Sequence, residues 1–142
     1  MRPGSLAQLV HNVLPRLSLR AQAVVDALLL TGGDVGTATE LASHLGLSSR
    51  FRFARLLKSE GLPALHDLAG WARVLRWLEQ AESNGCSLCR LAFSSKKDPA
   101  ACYRTVKRVT GVPWRELRRR GSRWLIADFL IHCGAQRNRT PN

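Results

Sequence analysis

Apolar residues recur along the chain at i, i+3 and i+4, and no stretch alternates apolar and polar over several positions with β-branched enrichment. This periodicity predicts an all-α fold. Leu6, Leu9, Val10, Val13 and Leu14 form a first short stripe that Pro15 stops. Ser18 has the chemistry to cap a second helix, whose Ala21, Val24, Val25, Leu28 and Leu29 run up to Gly32 and Gly33. Two short helices follow, over 39–45 and 49–60, separated by Gly46-Leu47-Ser48; that is helix-turn-helix spacing.

The longest unbroken helical pattern covers 67–84, with Asp67 as its N-cap, Leu68, Trp71, Leu75 and Leu78 as its stripe, and Asn84-Gly85 as its stop. It is expected to connect two units. Beyond it the pattern predicts a short helix over 87–93, a turn over 94–97, and a helix begun by Asp98-Pro99 and ended at Gly111. A short helical piece after Pro113 leads into Arg118-Arg119-Arg120-Gly121. A last, nearly all-apolar helix over 122–133 carries Trp124, Leu125, Phe129, Leu130 and Ile131, and it must be covered, by the chain's own second unit on this reading. The tail 136–142 lacks large apolar residues and is expected to be disordered. The expected organisation is an extension with a short helix (1–17), a first helix-turn-helix subdomain (18–66), a long linker helix (67–84), a second subdomain (85–121) and a C-terminal helix with its tail (122–142).

Charge sharpens this picture. Among 142 residues, 22 Lys plus Arg stand against 10 Asp plus Glu, a net +12. All the basic residues are arginine except Lys58, Lys96, Lys97 and Lys107. The excess is concentrated in 90–123, where Asp98 and Glu116 are the only acids. Polyanions are the natural partners of such a surface. The longest uncharged run, 3–15, contains Gln8, His11 and Asn12 and ends at a proline, so neither a signal peptide nor a spanning helix is expected. Cys86, Cys89, Cys102 and Cys133 are too few for a disulfide framework, which predicts a reduced, cytoplasmic protein without membrane contact.

The two halves rhyme. Leu41-Ala42 is read as opening one short helix and Leu91-Ala92 as closing its equivalent, and each following amphipathic helix ends at a glycine, Gly61 or Gly111. In the second unit, Cys102-Tyr103-Arg104-Thr105-Val106-Lys107-Arg108-Val109-Thr110-Gly111 is similar to the apolar-x-Arg-x-apolar-Lys-Arg-x-x-Gly signature of AraC/XylS-type transcription regulators, and Leu117 and Arg118 continue in register. In the first unit, Glu40-Leu41-Ala42-x-x-Leu45-Gly46-Leu47-Ser48 resembles that family's first helix and turn, and Phe53-Ala54-Arg55-Leu56-Leu57 echoes the recognition-helix signature. The resemblance covers roughly 19–121. It departs in the turns: the first is one residue longer, the second has Ser94-Ser95-Lys96-Lys97 in place of a Gly-Phe pair, and Pro113 stands one position early. The resemblance implies two helix-turn-helix units on one linker helix, acting on double-stranded DNA as a monomer, and it admits RNA polymerase as a further partner.

The residues support that chemistry on their own terms. In the helix over 49–60, a core position for Phe53 brings Leu56, Leu57 and the stem of Glu60 to the same side, leaving Phe51, Arg52, Ala54, Arg55 and Lys58 outside. An arginine fork matches guanine O6 and N7, and an exposed phenyl ring suits a thymine methyl. The expected base contacts are therefore Arg50, Phe51, Arg52 and Arg55, with Ser49 and Lys58 on phosphate. In the helix over 99–110, Cys102, Val106 and Val109 make the buried edge; Ala100, Tyr103 and Arg104 are the expected base contacts and Lys107 and Arg108 phosphate contacts. Lys96, Lys97, Arg115, Arg118 and Arg119 complete the expected phosphate set, alongside Arg120 and Arg123. The lesser alternative for the basic face is plain solvation or pairing to linker acids such as Glu79 and Glu82. Trp71, Trp77, Trp114 and Trp124 are expected as core anchors.

The alternative function rests on Cys86-Ser87-Leu88-Cys89, a Cys-x-x-Cys pair that with Cys102 and His132 or Cys133 makes a zinc or thiol sensor. The helical positions favour cysteine as a small structural apolar residue. His11, His44, His66 and His132 are scattered, and no phosphate loop, nucleophile elbow or carboxylate pair is present. No enzymatic activity, cofactor or metal is expected.

Overall fold

A computed structural model describes residues 3–138, with side chains described for 8–133. It is all-helical, with nine α-helices among the described residues. Helices α1 (Pro3–Val13) and α2 (Leu19–Thr31) pack together, with Val10, Leu14 and Leu17 of the connection, Ala21 and Val24 buried in the same core. Ser18 caps α2 as expected, its Oγ accepting from the Ala21 N–H at 3.2 Å. The helix ends on left-handed Gly32, and Gly33 follows at φ +89°. A side chain at Gly33 is impossible for a second reason: its Cβ would lie 2.5 Å from the Ala69 carbonyl oxygen. The chain thus leaves α2 pressed against α5 (Leu65–Asn84).

Helices α3 (Ala38–His44) and α4 (Arg50–Ser59) make one short pair, and α6 (Leu88–Ser94) and α7 (Pro99–Thr110) another. The first starts one residue earlier than the periodicity suggests, because Thr37 is its N-cap and accepts from the Glu40 N–H at 3.1 Å. Leu41-Ala42 and Leu91-Ala92 hold the same place within α3 and α6, rather than opening one and closing the other. Glu60, just beyond α4, accepts the Ser18 N–H at 3.1 Å, tying the end of α4 to the start of α2.

The linker helix departs from expectation in its start. Ala64, not Asp67, is the N-cap of α5, without a side-chain bond, so Asp67 sits in the first turn. A carboxylate there still meets the positive end of the helix dipole. Helix α5 buries ten of its residues, from Leu68 to Ala81, and packs against α2, α6, α7 and α9. Leu78 alone, fully buried, contributes roughly 1.5–3 kcal/mol of hydrophobic stabilisation. One continuous core therefore serves both halves.

Helices α8 (Trp114–Arg120) and α9 (Ser122–Asn138) close the structure. The buried side of α9 consists of Leu125, Ile126, Phe129 and Cys133 and lies on α5 and α8. Phe129 meets Trp71 with ring centroids 5.6 Å apart. This helix extends to Asn138, and 139–142, the end of the expected disordered tail, lie outside the described residues. Trp71, Trp77 and Trp114 are buried as core anchors; Trp124 is only half-buried, with the Arg120 guanidinium 4.6 Å above its ring.

Candidate nucleic-acid interface

The two helix pairs are built by the same backbone hydrogen bonds. Leu45 N–H donates to the Leu41 and Ala42 carbonyls at 3.0 and 3.2 Å, Gly46 to Ser43 at 3.1 Å, and Leu47 to Ala42 at 2.8 Å. Fifty residues on, Ser95 donates to Leu91 and Ala92 at 3.1 and 3.2 Å, Lys96 to Phe93 at 3.1 Å, and Lys97 to Ala92 at 2.8 Å. Each turn needs one left-handed residue. Gly46 supplies it at φ +73°, and Lys96 adopts it at φ +56°, which costs a side-chain-bearing residue roughly 1–2 kcal/mol. The first turn, 45–49, is one residue longer than the second, 95–98.

A capped helix follows each turn. Ser49 Oγ accepts from the Arg52 N–H at 3.3 Å, and Asp98 Oδ1 from the Ala100 N–H at 3.2 Å. Ser49, an expected phosphate contact, thus spends its hydroxyl oxygen on the helix end. On α4, Phe53 and Leu57 are buried, while Arg50, Arg52, Arg55 and Lys58 are exposed together with Phe51, which is 64% accessible. Arg50 rests 5.1 Å above the Phe51 ring. On α7, Cys102 and Val106 are buried and Val109 half-buried, leaving Ala100, Tyr103, Arg104 and Lys107 outward. Arg104 reaches only a loose 3.9 Å contact with Asp98, both side chains being largely in water.

The expected phosphate set divides by partner. Lys58, Lys96, Lys97, Lys107 and Arg115 are exposed, and Arg118 is half-buried. Arg108 is held by Asp67, Nη1 to Oδ1 at 3.2 Å, and lies over Gly70 of α5. Arg119 grips Glu116 with two nitrogens, and Arg120 Nε donates to the same carboxylate at 3.0 Å. Hydrogen bonds from these two guanidinium groups, Arg119 first, hold the Glu116 carboxyl at about 2, well below the usual carboxylate range. Three of the expected or neighbouring cations are therefore already paired, by Asp67 and Glu116 rather than by Glu79 and Glu82.

Phe93 was not among the expected contacts. It is 67% exposed at the end of α6, beside Lys96 and Lys97. The available signal was its place, immediately after the Leu91-Ala92 pair, where the other unit carries Ser43.

The cysteines take structural positions. Cys102 and Cys133 are buried, and burial pushes both thiols up, Cys133 to about 12. Cys86 and Cys89 flank Ser87, the N-cap of α6, and are half-exposed. The His132 ring lies 5.0 Å from that of Trp71, tilted by 48°. Among the described residues, no three His, Cys, Asp or Glu side chains gather into a metal-binding group.

No family model, curated protein or solved structure matches the chain.

Proposed function

We propose that the protein is a sequence-specific transcription regulator that binds double-stranded DNA, with α4 and α7 as recognition helices in adjacent major-groove segments. The observation that carries this reading is the duplicated turn. The same backbone hydrogen bonds precede two capped helices, each exposing arginine on the side opposite its buried edge. The AraC/XylS-like signature at 102–111 lies on the second of them. Of the two, α7 packs on the buried α5, while α4 pairs with α3.

In this reading Arg50, Phe51, Arg52 and Arg55 read one segment, and Ala100, Tyr103 and Arg104 the next. Lys58, Lys96, Lys97, Lys107 and Arg115 hold phosphates; Arg108 and Arg119 join them only by leaving their carboxylates. One chain then presents two readers and acts as a cytoplasmic monomer, with RNA polymerase as its second partner where it activates. No helix among the described residues is long and apolar enough to cross a membrane.

Selection of bound sequences from a random duplex pool, at two salt concentrations, tests the proposal. A recovered consensus with two recognised segments about one helical turn apart is expected. Engagement of about five to eight phosphates gives a slope of log affinity against log salt of about −4.5 to −7. Tight binding with a slope near zero, or a pool without consensus, overturns it.

A further inference from the structure

Between α3, α4 and the start of α5 lies an open cleft of about 410 Å³. Its floor is Phe53, Leu57 and Leu62, each almost fully buried. Arg50 and Lys58 stand at its edge, and no acidic residue lines it. Among the described residues, neither cation has a carboxylate within ion-pair distance.

The second unit shows what such a space holds. Ala38, the first residue of α3, corresponds to Leu88, the first residue of α6, which is completely buried. Leu65, the first residue after the α4 connection, corresponds to Trp114, which follows α7 and is buried to 8% exposure. Ala38 and Leu65 are both half-exposed and both line the cleft. Phe53 in place of Cys102 raises the floor without closing the opening. Where one unit buries an indole and an isobutyl group of its own, the other leaves Ala38 and Leu65 half-exposed at an opening flanked by two cations.

We propose that this cleft binds a small aromatic carboxylate, its ring against Ala38, Ala54 and Leu65 over the buried floor and its carboxylate between Arg50 and Lys58. The volume lies within the range of small-molecule sites, and an apolar body with one orienting charge suits a lining that offers no other polar side chain. A ring is favoured over a flexible chain because the space corresponds to that of a buried indole, and a rigid body loses little freedom on binding. The regulatory consequence rests on the proposed function: a carboxylate on Arg50 and Lys58 neutralises a base-reading and a phosphate-holding side chain of α4. Occupancy therefore weakens DNA binding.

The test uses the full chain and 2-naphthoate, with the neutral 2-naphthalenemethanol and the cationic 2-naphthylmethylammonium as controls. Titration without DNA should give saturable shifts of the Leu57 and Leu62 methyl resonances, strongest for the carboxylate and absent for the cation. Arg50→Gln with Lys58→Gln should weaken naphthoate roughly tenfold or more and leave the alcohol unchanged. Leu65→Trp, which copies Trp114, should abolish binding while keeping the melting temperature and the DNA affinity. Naphthoate binding that survives Leu65→Trp overturns the site, as does equal binding of the ammonium. The same methyl shifts produced by raising protein concentration alone assign the cleft to a second copy of the chain and overturn it too. In the DNA arm, saturating naphthoate should lower duplex affinity at least tenfold in the parent and not in Leu65→Trp. Unchanged affinity overturns the regulatory step. A chain that binds naphthoate but no duplex overturns the proposed function and leaves the site standing.

Discussion

The Glu82 carboxylate near the end of α5 caps α9: it accepts the Ser122 backbone N–H at 2.9 Å and the Ser122 hydroxyl at 3.2 Å. One acidic side chain thus does for α9 what an N-cap residue does from within the helix, and it pins the C-terminal helix to the shared core. Glu82→Ala removes that acceptor and should cost about 0.5–2 kcal/mol. Phe129→Ala, which empties the Trp71 contact, should cost about 3–5 kcal/mol. Thermal melts of the two variants check both values. An unchanged melting temperature for Phe129→Ala would show that α9 is not docked on α5.

Base readout and phosphate positioning separate by substitution. Arg55→Ala and Arg104→Ala should each cost about 1–3 kcal/mol on the selected duplex and relax preference at one position. Lys107→Ala should weaken selected and random duplexes alike and reduce the salt slope by about 1. Arg108→Ala should act on stability instead, because its guanidinium is bound to Asp67 on α5. Equal losses on selected and random DNA for the first two variants would move them into the phosphate class.

Gly70 sets how closely α7 approaches α5. A Cβ there would lie 2.8 Å from Val109 Cγ2 and 3.0 Å from Arg108 Nη2. Gly70→Leu should cost roughly 1–3 kcal/mol through overpacking and change the segment spacing recovered in selection, since it levers α7 off the linker helix. Selection with this variant at a temperature where it remains folded checks the geometry; recovery of the parental spacing would rule out the lever.

Acid should release the arginine clasp on α8. The folded carboxyl of Glu116 titrates at about 2 rather than its ordinary 4.5. The ionised group therefore contributes stability above about pH 4.5, and that contribution fades as pH falls through 2. Carboxyl-carbon NMR should place the midpoint near 2, and Glu116→Gln should destabilise at neutral pH but not at pH 2. The same variant frees Arg119 and Arg120 and should tighten binding to random duplex. A midpoint near 4.5 would show the clasp to be open in solution.

Thiol reactivity should follow burial. A water-soluble disulfide reagent should modify Cys86 and Cys89 in the native protein and reach Cys133 only on unfolding. Cys86→Ser with Cys89→Ser should leave the melting temperature and DNA affinity nearly unchanged. One tightly held zinc per purified chain, lost in that double variant, would favour the sensor alternative.

Sequence alone determined the all-helical fold, most helix ends and the duplication, because periodicity, caps and breakers act within a few residues. Ser18 and Asp98 cap where their chemistry predicts, and Phe53, Cys102 and Val106 turn inward with the helical period. The start of α5 escaped that reading because Asp67 satisfies the helix dipole from the first turn as well as from the cap. Tertiary structure decided which charges are free. Asp67 meets Arg108 across forty-one residues and Glu82 meets Ser122 across forty, distances over which no local pattern operates. It also decided that the linker is the core, since α2, α6, α7 and α9 together bury what reads as a single amphipathic stripe. The open cleft has the same origin. Whether a small residue such as Ala38 leaves a void or a filled contact depends on what the following helix places opposite it, and only the packed fold sets that.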